Sequence, residues 1–117
     1  MTRVAIVGSW RRTDREAVEA CVAALAPGSI VISGGCRGVD CWAAEAARRR
    51  GLDLVEHRPD LAGVRSRSHA AGRYYARNQR IVDDVDRVFA FPAADRTGGT
   101  EDTIRRALAA GKPVEVR

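Results

Sequence analysis

Three glycine-containing turns carry the residue types that hold a phosphate group: Gly8-Ser9-Trp10, Ser33-Gly34-Gly35-Cys36-Arg37-Gly38 and Gly98-Gly99-Thr100. Glycine lets the backbone turn sharply and approach a ligand closely, and the first N–H groups of a helix starting at such a turn have no partner within it. An anion, most often a phosphate, satisfies them. One such turn is equally an ordinary strand-to-helix connection that binds nothing; three converging on one edge make a binding site. The hydroxyls of Ser9, Ser33 and Thr100 either reach the same anion or satisfy local backbone groups. Arg77 and Arg80, flanking Asn78, add charge-assisted donors, so Arg77→Ala is expected to weaken ligand binding by about 1.5–3 kcal/mol without unfolding the chain. Asp40 either accepts from a ligand hydroxyl or caps its own helix. Trp10, Tyr74 and Tyr75 offer faces on which a planar ring can stack, whereas Trp42 suits packing. Cys36 stands where a helix starts but has no base partner, which makes it a structural thiol.

The elements that must position these residues follow from the apolar spacing. Residues 4–7 form a continuous apolar run, as a strand buried on both faces does, and lead into the first glycine turn. Asp14 is placed to cap the next helix, whose stripe of Val18, Cys21, Val22 and Leu25 stops at Pro27-Gly28. Residues 30–32 make the second strand, and Val39, Trp42, Ala43, Ala46 and Ala47 mark a helix closed by Gly51. Residues 54–56 are a short third strand, and residues 59–72 read as a polar loop carrying Arg65, Arg67 and His69. From Arg73 a helix presents Tyr74, Asn78, Ile81, Val82 and Val85 on one side. Residues 88–91, stopped by Pro92, are the fourth strand; a last helix carries Ile104, Ala107 and Leu108, with Lys112 just past its end where a cation is favourable. Residues 114–116 close the sheet.

Strand and helix alternate throughout, which predicts an α/β fold with right-handed crossovers. The expectation is one Rossmann-like doubly wound domain over residues 1–117, with a five-stranded parallel sheet in the order 3-2-1-4-5. In that order the chain changes direction between strands one and four. The crevice then opens beside the Gly8-Ser9-Trp10 and Gly98-Gly99-Thr100 loops, with the turn at residues 33–38 as their neighbour.

Composition narrows the function classes. At 117 residues the chain is long enough for one hydrophobic core and too short for a separate substrate domain. Twenty basic residues against fifteen acidic give a formal charge of +5, and every basic residue except Lys112 is arginine, whose planar fork suits phosphates and carboxylates. Three cysteines without a Cys-x-x-Cys pair point to reduced thiols and a cytoplasmic protein, with no metal and no cofactor. No apolar run approaches the ~20 residues of a membrane span, so no membrane association is expected.

The common nucleotide fingerprints are absent: no Gly-x-x-x-x-Gly-Lys-[Ser/Thr], and no Gly-x-Gly-x-x-Gly after the first strand. Instead the chain resembles the SLOG superfamily, the Rossmann-like group that joins the LOG phosphoribohydrolases, the Smf/DNA-processing protein A family and the small YspA/YpsA-like proteins. The resemblance rests on Val-Gly-Ser (7–9), Ser-Gly-Gly-Cys-Arg-Gly-Val-Asp (33–40), Ala-Arg-Asn-Gln-Arg (76–80), and Gly-Gly-Thr (98–100) followed by Ala-Gly-Lys-Pro-Val (110–114), and is nearest to the YspA-like branch. It implies a nucleotide or nucleotide-derived ligand, with the glycine turns on the phosphate and the Arg-Asn segment closing one side, and it implies a homodimer.

The LOG pattern Pro-Gly-Gly-x-Gly-Thr-x-x-Glu is broken here. The place of its catalytic glutamate is taken by Thr103, while Glu101 and Asp102 lie about 100° per residue around the helix from it. Two functions therefore compete: a nucleotide-binding sensor or processing protein, and a hydrolase of the N-glycosidic bond of nucleoside monophosphates that uses Glu101 or Asp102. Nucleic-acid binding is a third and is not favoured, since aromatic residues do not interleave with a basic stripe.

Overall fold

The computed structural model describes residues 2–117. The chain runs β1 (Arg3–Gly8), α1 (Arg15–Ala23), β2 (Ile30–Ser33), α2 (Val39–Arg50), β3 (Asp53–Glu56), α3 (Arg67–Asp83), β4 (Arg87–Phe91), α4 (Gly99–Ala109) and β5 (Val114–Val116). All five strands pair in parallel, in the order β3-β2-β1-β4-β5. The expected architecture is the observed one.

Side-chain alternation along β1 sorts the helices onto two faces. Val4 and Ile6 point into a core with Val18, Cys21 and Val22 of α1 and Val39, Ala43 and Ala47 of α2. Ala5 and Val7 point the other way, onto Ile81 and Val82 of α3 and Ile104 and Ala107 of α4. The small alanines of α2 let that helix lie close to the sheet, and Trp42 fills the margin of the same core.

Two local expectations are corrected. Residues 67–72 are helical, so α3 starts two turns before Arg73. Its start is set by Ser66, whose Oγ accepts from the amide of His69 at 3.1 Å, and its first turns face water, which is why they show no apolar spacing. Asp14 stands at the N-cap of α1 but makes no side-chain cap bond; its carboxylate is taken by Arg12, with Nε–Oδ1 at 2.8 Å and Nη2–Oδ2 at 2.6 Å. Lys112 does lie past α4, but its ammonium donates to the carbonyl of Val85 at 2.7 Å and so ties the end of α4 to the segment after α3.

At the end of β1 the chain passes so close to its neighbours that only glycine fits. A Cβ on Gly8 would stand 2.7 Å from the carbonyl oxygen of Phe91 and 2.7 Å from Cγ2 of Val39. Neither can retreat, because that carbonyl accepts from the Ser9 amide at 3.0 Å and Val39 is fully buried. Gly8→Ala is accordingly expected to cost about 1–3 kcal/mol, the usual range for overpacking. Urea unfolding reads this directly, and a midpoint unchanged from the parent would show that the contact relaxes.

Candidate functional site

A cleft of about 340 Å³ opens beyond the carboxyl ends of β1 and β4, within the range of small-molecule sites. Gly8, Ser9, Trp10 and Arg11 form one wall, and α3 supplies Tyr74, Tyr75, Arg77 and Asn78 opposite. The start of α4 contributes Thr97, Gly98, Gly99, Thr100 and Thr103. From the middle turn only Cys36 and Asp40 reach the lining. This is the crevice where the strand order reverses, as the topology demands.

The three glycine turns are not equivalent. The turn after β2 is occupied by the protein itself: a Cβ on Gly34 would meet Arg77 Nη1 and Asp40 Oδ2, each at 2.8 Å, and one on Gly38 would lie 3.1 Å from Cα of Trp10. The turn before α4 is open. Nothing lies within 4 Å of a Cβ built on Gly98 or Gly99, and Gly98, at the N-cap with φ of 108°, provides no side chain to cap the helix. The amide of Glu101 already donates to Gly98 O at 3.3 Å, which leaves those of Gly99 and Thr100, the first two of α4, without a side-chain cap and facing open space.

Arg77 is part of the scaffold. It is only 6% exposed, and its guanidinium donates to Gly34 O at 2.6 Å and to Asn78 Oδ1 at 3.0 Å, with Cys36 Sγ 3.6 Å from Nη2. It therefore holds the β2–α2 turn against α3. Asn78 passes the connection on, donating to Asp102 Oδ2 at 3.1 Å.

Asp40 is the carboxylate of the cleft and is 5% exposed. Its Oδ2 accepts from the Cys36 amide at 3.2 Å, while the amides of Gly8 and Gly34 lean toward the carboxylate without closing a hydrogen bond on Oδ1. Loss of hydration pushes its pKa up to about 6, against the opposing pull of the Cys36 amide and the Arg77 charge. The bond to Cys36 ties the turn to the start of α2; it is not a cap, because Cys36 precedes the N-cap residue Gly38 and no side chain caps this helix.

The remaining candidates are dispersed. Ser33 is buried and its Oγ accepts from the Gly35 amide at 3.2 Å, a local turn bond. Gly35 packs near Arg58, and Arg37 lies over the Trp10 ring, 4.7 Å from its centroid. Arg80 donates to Arg58 O at 2.9 Å, outside the cleft. Glu101 pairs with Arg96 at 2.8 Å and Asp102 with Arg106 at 2.7 Å, and neither lines the cleft; Thr103 does. Arg11 and Thr97 also line it; nothing in their own residue types marks them in the sequence, but each directly adjoins a glycine turn. Among the described residues no group of three His, Cys, Asp or Glu side chains is placed to hold a metal ion, and no helix is long and apolar enough to cross a membrane.

A family model, that of the YspA, cpYpsA-related SLOG family (YAcAr), matches residues 2–63, just over half of the chain. The chain belongs to this SLOG family. The matched part holds β1, β2, α2 and both of their glycine turns, whereas the Arg-Asn segment and the Gly-Gly-Thr turn lie beyond it. No curated protein sequence matches the chain. Among solved structures, this SLOG chain is similar to DNA processing protein A (DprA) from Streptococcus pneumoniae, with a TM-score of 0.79 and 21% identity over 99% of this chain and 50% of that one. It thus spans about half the length of that protein. It is also similar to TM1055, with a TM-score of 0.69 and 22% identity over 97% of this chain and 72% of that one. A third likeness is the C-terminal domain of the PF1911 hydrogenase from Pyrococcus furiosus, with a TM-score of 0.56 and 13% identity over 98% of this chain and 90% of that one. At these identities the likenesses establish the shared fold.

Proposed function

We propose that this SLOG chain binds a nucleotide or nucleotide-derived phosphate ligand in the cleft, with the phosphate on the first amides of α4 and the base against the aromatic residues. One observation carries the reading: the uncapped, open start of α4 shares a single cleft with Trp10, Tyr74 and Tyr75, the three aromatic side chains that are exposed. An anion site beside stacking faces has the two halves that a nucleotide needs. The pair of tyrosines on α3 and Trp10 on the β1 loop leave the planar part of the ligand between them and its charged end toward Gly98-Gly99.

The same geometry favours binding over turnover. Glycosidic hydrolysis needs a carboxylate within hydrogen-bond reach of the water or hydroxyl it activates, and Glu101 and Asp102 are committed to Arg96, Arg106 and Asn78. Thr103, which faces the cleft, offers a hydroxyl that does not serve as a base at neutral pH.

Isothermal calorimetry with adenosine 5′-monophosphate and adenosine tests the reading, with the monophosphate expected to bind at least ~10-fold more tightly through its charge-assisted contacts. Equal affinities would overturn it. Gly99→Ala sharpens the test: alanine in a helix is favoured over glycine by up to ~1 kcal/mol, so this variant should fold as well as the parent and yet lose affinity, because its methyl stands in the space assigned to the phosphate. Adenine release from the monophosphate should be absent. Turnover that vanishes in Glu101→Gln or Asp102→Asn would make the chain a phosphoribohydrolase instead.

A further inference from the structure

A phosphate seated at the start of α4 brings negative charge into the cleft, and two cations among the described residues line that cleft, Arg77 and Arg11. Arg77 is buried, with its guanidinium bound to protein carbonyls. Arg11 is exposed on the β1 loop. Its guanidinium crosses the cleft mouth to the loop before α4, where Nη2 lies 2.8 Å from Asp95 Oδ1 and 2.9 Å from Thr97 Oγ1, and Nη1 lies 3.2 Å from Asp95 Oδ2. Thr97 directly precedes Gly98, so this fork already stands beside the free amides of α4. On its far side is a second hollow of about 460 Å³, also lined by Arg11, Asp95 and Asp14. Arg11 thus lines both hollows, with Asp95 on the side of the second.

We propose that Arg11 is the ligand-binding cation of this site, held on Asp95 when the cleft is empty and transferred to the ligand's phosphate when it is filled. The assignment rests on the nucleotide reading given above. The exchange is cheap because the resident bond is a solvent-exposed ion pair, with side chains 43% and 56% exposed, and such pairs contribute little. It is directional because a terminal phosphate carries close to two negative charges and three acceptor oxygens, against one charge on Asp95, and an arginine fork takes either in the same two-point geometry. Asp95 is well adapted to hold the cation in the meantime: the bonds from Arg11, and next those from Thr97, keep its pKa down at about 2, so it remains an anion at any physiological pH. A neutral nucleoside gives Arg11 nothing to move to, so the device selects phosphorylated ligands.

Calorimetry on the full chain with adenosine 5′-monophosphate, and in parallel with adenosine, separates the possibilities. Arg11→Ala should weaken the monophosphate by at least ~10-fold and leave adenosine within twofold, as expected when charge-assisted bonds to phosphate alone are removed. Arg11→Lys, which keeps the charge but lacks the fork, should fall between. Asp95→Asn, which weakens the standby bond, should bind the monophosphate ~2–5-fold more tightly. If the parent binds the monophosphate and Arg11→Ala binds it equally well, or loses adenosine in the same proportion, Arg11 is not the receptor although the nucleotide reading stands. If neither the parent nor Asp95→Asn binds the monophosphate, both fall together; binding by Asp95→Asn alone supports the exchange.

Discussion

Arg77→Ala is expected to lower the unfolding free energy by about 3–5 kcal/mol, the loss typical of removing one partner from a buried charged network. The guanidinium is the link between the β2–α2 turn and α3. Without it the carbonyl of Gly34 and Oδ1 of Asn78 lose their donors inside the protein, and Asp40 loses the nearby positive charge that favours its ionised form. Each unsatisfied buried polar atom costs about 1–3 kcal/mol. Lysine at this position restores a charge but cannot reach both acceptors, so Arg77→Lys should recover less than half of the loss. Arg49→Ala is the matched control, because that arginine is 58% exposed and bound only to Glu19 on the surface; it should change stability by less than ~0.5 kcal/mol. Urea unfolding of the three variants settles the point, and an Arg77→Ala midpoint equal to that of the Arg49 variant would show that the buried bonds carry no weight. This revises the expectation from sequence that Arg77→Ala affects binding with the fold untouched: any lost affinity in that variant has to be read against lost stability.

The second large effect is a dependence of stability on pH that belongs to Asp40. Its pKa is raised from 3.8 to about 6 in the folded protein, chiefly by burial. A carboxyl with a raised pKa binds its proton more readily folded than unfolded, so this group contributes stability as pH falls through about 6 and the gain is complete below about 4. Above pH 6 the ionised, poorly hydrated carboxylate is a liability. At 1.36 kcal/mol for each pH interval of one between the two values, that liability is about 3 kcal/mol. Asp95, whose pKa is lowered, works in the opposite sense and at lower pH, so the total curve mixes several groups. Subtracting the curve of Asp40→Asn isolates the one in question. The difference between parent and variant should shift in favour of the parent as pH falls from 7.5 to 4, with most of the change between 6 and 4. A difference that stays flat over this range would mean that Asp40 is hydrated or firmly bonded in solution. The cleft should feel the same titration, since Asp40 lies in its wall.

Some of this is legible in the amino-acid sequence alone. The runs at residues 4–7 and 30–32 are apolar at every position because both faces of a parallel strand are covered, and that pattern belongs to few other structures. Repeated βα units with short connections then leave few sheet orders, and the reversal between β1 and β4 locates the crevice without a single side-chain contact. The start of α3 was not legible. Its first two turns lie on the surface, and the cap at Ser66 is followed three residues later by His69, so no capping box marks the place.

The glycine turns show where sequence stops. Ser33 to Gly38 and Gly98 to Thr100 present the same residue types, small and flexible at the start of a helix, and by composition either is a phosphate loop. Which of them is open depends on what the rest of the chain brings to it: Arg77 from α3 and Trp10 from the β1 loop fill the first, and nothing fills the second. The arginines are alike for the same reason. Arg11, Arg77 and Arg80 are indistinguishable in charge and in the solvated-helix or loop patterns around them, yet one reaches across the cleft mouth, one is sealed in the scaffold and one lies outside. Local sequence determined the strands, the helices, the edge at which the crevice opens and the family; only the long-range approach of α3 and the β1 loop decided which helix start stays open and which guanidinium stays exposed at the cleft mouth, because the desolvation and hydrogen bonding that commit a charge depend on neighbours distant in sequence.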